Sequence, residues 1–294
     1  MKSSKSSIQE IDTLVEIPKV LPPEQHREPK SVRYTLIAIG TFFVIIMLIL
    51  PLLQVMIAAF QEGFQAWQSA VFDEYTIKAL QLTLLATVCA VVVNTIFGVF
   101  AAWALSNYNF RGKRILLSLI DIPFSVSPVV AGLMYILTYG RLGWMYDFLN
   151  AHNIKIVFAV PGVILATIFV TFPYVLREIM PVLNTRGKDE EEAAALFGAS
   201  TFRIFMKVTF PHIRWALLYG VVLCTARALG EFGAVSVLSG HRRGETNTLP
   251  LQVEILYNQF DTAAAFAVSS ILVALAIIIL IIRNIVEAKK DASI

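Results

Sequence analysis

Charge is what this sequence has least of. Of its 294 residues only 15% are Asp, Glu, Lys or Arg, against about 25% in soluble domains. That shortfall argues against a disordered chain and against a soluble enzyme. The net charge is +3, from 24 basic and 21 acidic residues, too slight to mark a nucleic-acid binder. Cysteine is scarce: Cys89 and Cys224 each lie in an apolar stretch, with neither disulfide nor metal spacing. His26, His152, His212 and His241 have no metal-ligand spacing either. The phosphate-loop pattern G-x-x-x-x-G-K-S/T is missing, as are H-E-x-x-H and G-x-S-x-G. The chain is therefore not expected to be an enzyme or to hydrolyse ATP itself.

What is present is apolar: 57% of residues, with a mean hydropathy of +0.70. A bilayer core of about 30 Å needs roughly 20 apolar residues in a helix. Between Lys78 and Arg111, 32 residues carry no charge or histidine, and Lys155–Arg177 and Asp261–Arg283 each enclose 21 more. The spacing predicts six spans, at about 35–58, 79–105, 115–139, 156–176, 213–236 and 262–283. The third is interrupted by Asp121 and the fifth by Arg227 and Glu231. Residues 1–34, with Pro18, Pro22, Pro23 and Pro29, read as a flexible polar tail and not as a signal peptide. Residues 35–286 form the membrane domain, and 287–294 a second tail. Eighteen of the Lys and Arg residues fall on one side of these spans and five on the other, with Arg227 inside one. That asymmetry puts both termini in the cytoplasm, in agreement with an even number of spans.

The longest loop on the basic side covers about 177–212. Asp189, Glu190, Glu191 and Glu192 suit a helix start, and Ala193, Ala194, Ala195 and Leu196 propagate it. Gly198 ends that helix. Ser200 or Thr201 caps a second one, Thr201 to about Val208, with Phe202, Phe205 and Met206 on one face. Pro211 marks the next break. A short helix with an apolar face, set in a basic loop outside the membrane, needs a partner surface.

Here the chain resembles a known family. Glu192-Ala193-Ala194, Gly198 six residues after Glu192, and Pro211 at the end look like the EAA loop of permease subunits in ATP-binding-cassette importers. Val208-Thr209-Phe210-Pro211 departs from that pattern by a Phe where Leu is usual. The resemblance extends over about 75–283. Residues 121–132 and 226–234 are similar to sulfate and molybdate permeases, and 239–250 to the CysW-type subunit. It implies an all-α, type I importer-like permease of the bacterial inner membrane carrying sulfate or thiosulfate. Glu192, Ala193, Ala194, Gly198, Ala199, Ser200, Phe202, Phe205 and Pro211 would form the coupling segment. Implied partners are a homologous CysT-type permease subunit, two CysA-type ATPase subunits and a periplasmic sulfate- or thiosulfate-binding protein, within membrane lipid and without nucleic acid. ATP and Mg²⁺ would sit on the ATPase, and this chain would hold no cofactor. The rivals are a molybdate or tungstate permease and, in another class, a secondary oxyanion transporter.

Three further groups carry chemistry. Arg227 and Glu231 share a helix face in the fifth span; they either neutralise each other or attract and gate an oxyanion. Asp121 lies in a span that Pro123 and Pro128 should bend. Ser125 and Ser127 either line a cavity there or bond their own backbone. His241, Arg242 and Arg243 follow the fifth span on the outer side, as a solvated loop or as a receptor and anion contact.

Overall fold

The computed structural model describes residues 30–291. Most of the expected polar tail, residues 1–29, and residues 292–294 lie outside that range. Every regular element among the described residues is helical. The chain divides into two units, 1–51 and 52–294. In the first, the described residues 30–51 are helical, including 30–34 of the expected tail, and all their side chains are exposed. An apolar helix exposed on every face is built for lipid or for contact with another protein.

Among the described residues, five helices are long and apolar enough to cross a membrane. They are α1 (Lys30–Ala59), α3 (Glu74–Asn107), α8 (Val160–Arg186), α10 (Thr201–Leu229) and the greater part of α13 (Thr262–Asp291). A short α2 (Phe64–Val71) precedes α3. The expected third span is not one helix. It is divided into α4 (Lys113–Ile120), α5 (Ile122–Ser125) and α6 (Pro128–Tyr139). Its prolines stand at the first turns of α5 and α6, where a missing N–H costs nothing. The expected fifth span ends early as well. It stops at Leu229, and α11 (Gly233–Ser239) begins after a three-residue break. Short helices α7 (Tyr146–Ala151), α9 (Asp189–Leu196) and α12 (Leu249–Asn258) complete the set.

Helix α3 organises the second unit. Asp73 caps its start, accepting from the amides of Tyr75 and Thr76 at 3.0 and 3.4 Å. Its buried face is a stripe of small residues, Ala79, Thr83, Ala86, Ala90, Asn94, Gly98 and Ala102, three or four apart. Many of its larger side chains, such as Leu84, Leu85, Val88 and Phe100, are exposed, while Leu82 and Leu105 are buried. Small residues let helices approach closely where no water drives association. Gly98 shows how closely: a Cβ there would lie 2.9 Å from Cβ of Val175 on α8. Asn94 adds a polar tie, donating to Thr171 Oγ1 at 2.8 Å and to the Ile168 carbonyl at 3.1 Å. Three apolar clusters fill the gaps. One joins α3, α8, α11 and α12, and a second joins α3, α4, α8 and α10. A third packs α3 and α12 on α13.

Two interior prolines are absorbed in the same way. Before Pro51 the helix widens to a π turn, Ile45–Ile49, in which Leu50 N–H donates to the Ile45 carbonyl. Before Pro211 the turn Phe205–Thr209 does likewise, with Phe210 N–H donating to the Phe205 carbonyl. The extra residue relieves the clash between a proline ring and the carbonyl one turn back. Pro211 therefore does not break the chain into two helices, as the sequence suggests; α10 runs through it. The irregular part of the 177–212 loop contracts accordingly, since α8 continues to Arg186 and α10 starts at Thr201.

Candidate functional site

The end of α9, the turn after it and the start of α10 together form an exposed apolar tip. At its root, Lys188 donates to the Asn107 carbonyl, at the end of α3, at 2.9 Å. Arg186 pairs with Glu190 and reaches the Val208 carbonyl at 3.3 Å. The Thr209 hydroxyl donates to Glu191 Oε1 at 2.6 Å. The acidic first turn of α9 thus does two jobs. It complements the helix dipole, and it ties α9 to its neighbours. Gly198, at φ +79°, turns the chain after α9, a conformation that costs other residues about 1–2 kcal/mol.

On both sides of this turn apolar side chains are exposed. Leu196 is 89% exposed, Phe197 92% and Phe202 73%. Met206 is exposed beside them. Phe205 turns the other way, edge-on to Trp103 of α3 with ring centroids 6.1 Å apart. It anchors the segment and is not part of the tip. Glu192, Ala193, Gly198, Ser200 and Pro211 are exposed, and Ala194 and Ala199 half-buried. Sequence reasoning missed Leu196 and Phe197 as exposed members of this tip. The available signal was an apolar pair directly before a glycine turn, on a helix too short to bury it.

The charges inside the helical bundle separate into two kinds. Arg227 Nη1 lies 2.6 Å from Glu231 Oε2. Glu231 is 3% exposed, and its Oε1 accepts from the Ala234 amide at 2.9 Å. Its carboxylate thereby caps α11 while neutralising the arginine on α10, and so bridges the break between them. Asp121 instead meets Arg177 of α8 in a two-pronged contact, Nε to Oδ1 at 2.8 Å and Nη2 to Oδ2. Ser125 and Ser127 are exposed nearby in sequence, and Ser127 makes no side-chain cap to α6.

The third group lies elsewhere. Arg243 stacks over Tyr75, 4.5 Å from the ring centroid. Arg242 pairs with Glu245 at 2.5 Å, and His241 Nδ1 lies 3.8 Å from Glu254. Tyr75 starts α3, whereas Lys188 holds the tip to Asn107 at its end. At 1.5 Å per residue these points are about 48 Å apart along the helix. The candidate residues therefore form no single pocket. They mark the two ends of a bundle as thick as a bilayer and two charge pairs between them.

The profile of the family described as "Binding-protein-dependent transport system inner membrane component" matches residues 94–291. The chain is 47% identical to the sulfate transport system permease protein CysW of Synechocystis sp., over 89% of this chain and 95% of that protein. It is 46% identical to CysW of Escherichia coli, over 87% and 88%. Identity to the sulfate transport system permease protein CysT of Salmonella typhimurium is 33%, over 86% and 92%. A chain in the crystal structure of a bacterial alginate ABC transporter, in complex with a pentasaccharide-bound periplasmic protein, superposes with a TM-score of 0.74. It covers 87% of this chain and 93% of that one. At 15% identity, that likeness concerns the fold alone.

Proposed function

This chain belongs to the family of binding-protein-dependent transport system inner membrane components, and from that premise we propose that it is the CysW-type permease subunit of an ATP-driven sulfate or thiosulfate importer. It is a multi-pass helical membrane protein, and its full-length relatives are sulfate permeases. Its partners in this reading are a CysT-type permease subunit, two CysA-type ATPases that hold the ATP and Mg²⁺, and a periplasmic binding protein that delivers the anion. Both termini and the Leu196–Phe202 tip then lie in the cytoplasm, in the bacterial inner membrane.

The observation that carries the reading is the tip itself. Full burial of a large apolar side chain is worth about 1.5–3 kcal/mol, so Leu196, Phe197 and Phe202 together offer roughly 5–9 kcal/mol. Association costs about 4–15 kcal/mol before any surplus appears. One tip therefore holds a motor protein weakly, and two tips on a pair of permease subunits hold it through avidity. Movement of the motor is transmitted because α9 is tied to α3, α8 and α10 by ion pairs and hydrogen bonds. The helices then exchange inward- and outward-open states that contact the anion differently.

The test is reconstitution of this chain with its CysT-type partner, the ATPase and the binding protein in vesicles. ATP-dependent uptake of labelled sulfate, competed by thiosulfate, is the expected result. Uptake competed by molybdate in preference to sulfate assigns the rival substrate. Uptake that follows an ion gradient without ATP overturns the reading.

A further inference from the structure

The pair between Asp121 and Arg177 differs from the other intramembrane pair in what its carboxylate does. Glu231 is buried and holds a backbone amide, so removing its partner leaves a cap still in place. Asp121 stands at the break between α4 and α5 and makes no side-chain cap to α5. Its two oxygens bond Arg177, and the carboxylate can leave without undoing a helix end. Arg177 is also open: its side chain is 55% exposed, against 30% for Asp121. Arg177 lies nine residues before the end of α8 and Asp121 eight after the start of α4. Both therefore sit about 12–14 Å inside the bundle from the end that carries the tip. A cleft of about 470 Å³ opens there, walled by Leu117, Ile120, Met180, Pro181 and Asn184 as well as by the pair itself.

A guanidinium at that depth is costly unless it faces protein or water. Its fork donates to two oxygens of one partner, and it does so for a carboxylate or a tetrahedral oxyanion alike. We propose that Arg177 is a relay residue for the transported anion on the tip-side leg of the path, with Asp121 as a tethered substitute that occupies the fork when no anion is there. The proposal rests on the oxyanion-importer reading and deepens it. An arriving dianion displaces the carboxylate from the fork. The carboxylate then returns and expels the anion toward the tip side, since a tethered competitor acts at high effective concentration. Arg177 was legible in sequence only as one more loop cation; its partner lies 56 residues away.

The experiment is sulfate uptake in the reconstituted complex, with wild type as the control. Arg177→Lys keeps the charge but loses the fork. It should lower uptake roughly ten- to a hundredfold, with normal assembly and an unchanged melting temperature. Asp121→Asn frees the guanidinium to hold the anion and should raise ATP consumed per sulfate several-fold. The deciding variant is the exchange Asp121→Arg with Arg177→Asp, which restores an ion pair between the same helices. Restored assembly with uptake still at least about tenfold down is expected, because the fork now sits on the wrong helix. Wild-type uptake by the exchange variant, or by Arg177→Lys, overturns the proposal and leaves a purely structural pair. A wild-type complex that moves no sulfate refutes the importer reading instead.

Discussion

At the scale of single residues, the two intramembrane pairs make opposite predictions. Arg227→Ala leaves the Glu231 carboxylate buried and uncompensated, a change that typically costs 3–5 kcal/mol. The purified complex should melt lower, and adding Glu231→Gln should recover much of the loss. A melting temperature unchanged in Arg227→Ala contradicts the structural role given to this pair. Gly198 makes a second prediction. Its φ of +79° means that Gly198→Val strains the turn by about 1–2 kcal/mol while nothing lies within 4 Å to clash. Assembly of the membrane helices should survive, and sulfate-stimulated ATP turnover should fall. Of the residues concerned, the pair Arg227 and Glu231 was legible because four-residue spacing puts both on one helix face. The pair Asp121 and Arg177 was not, since its contact depends on how α4 and α8 pack.

At the scale of elements, long uninterrupted apolar runs read well. A helix covers the expected spans 79–105 and 262–283 throughout and 156–176 from Val160 onward, because hydropathy and length alone decide those cases. Interruptions read unevenly. Pro123 and Pro128 mark a bent third span and the chain does break there, since each proline can start a new helix. Pro211 marks a break by residue type and is instead absorbed by the π turn Phe205–Thr209, a choice set by packing of Phe205 on Trp103 and of Thr209 on Glu191. The same turn sets the facing of the tip. Pro211→Leu removes the reason for the extra residue, and relaxation to a regular helix turns everything before it by about 100°. We expect Pro211→Leu to reach the membrane and pair with its permease partner, in a complex whose ATPase turns over without moving sulfate. Full coupling in that variant contradicts the role of the π turn.

At the scale of the whole molecule, the account depends on two faces at opposite ends of α3. One carries the tip of Leu196, Phe197 and Phe202; the other carries the His241–Arg243 loop, whose charges are met by Glu254, Glu245 and Tyr75. The tip was half legible. Its acidic helix start, glycine turn and Phe202 follow from residue type and spacing. Leu196 and Phe197 emerge only once α9 is seen to be short, tethered and uncovered. The measurement that bears most directly on the account is labelling of Phe197→Cys in a chain whose Cys89 and Cys224 have been replaced by serine and alanine. A membrane-impermeant maleimide should leave this position untouched in intact cells, react with it in inverted vesicles stripped of the ATPase, and be blocked when the ATPase is added back. Labelling from outside intact cells, or reaction in stripped vesicles that the ATPase does nothing to prevent, contradicts it.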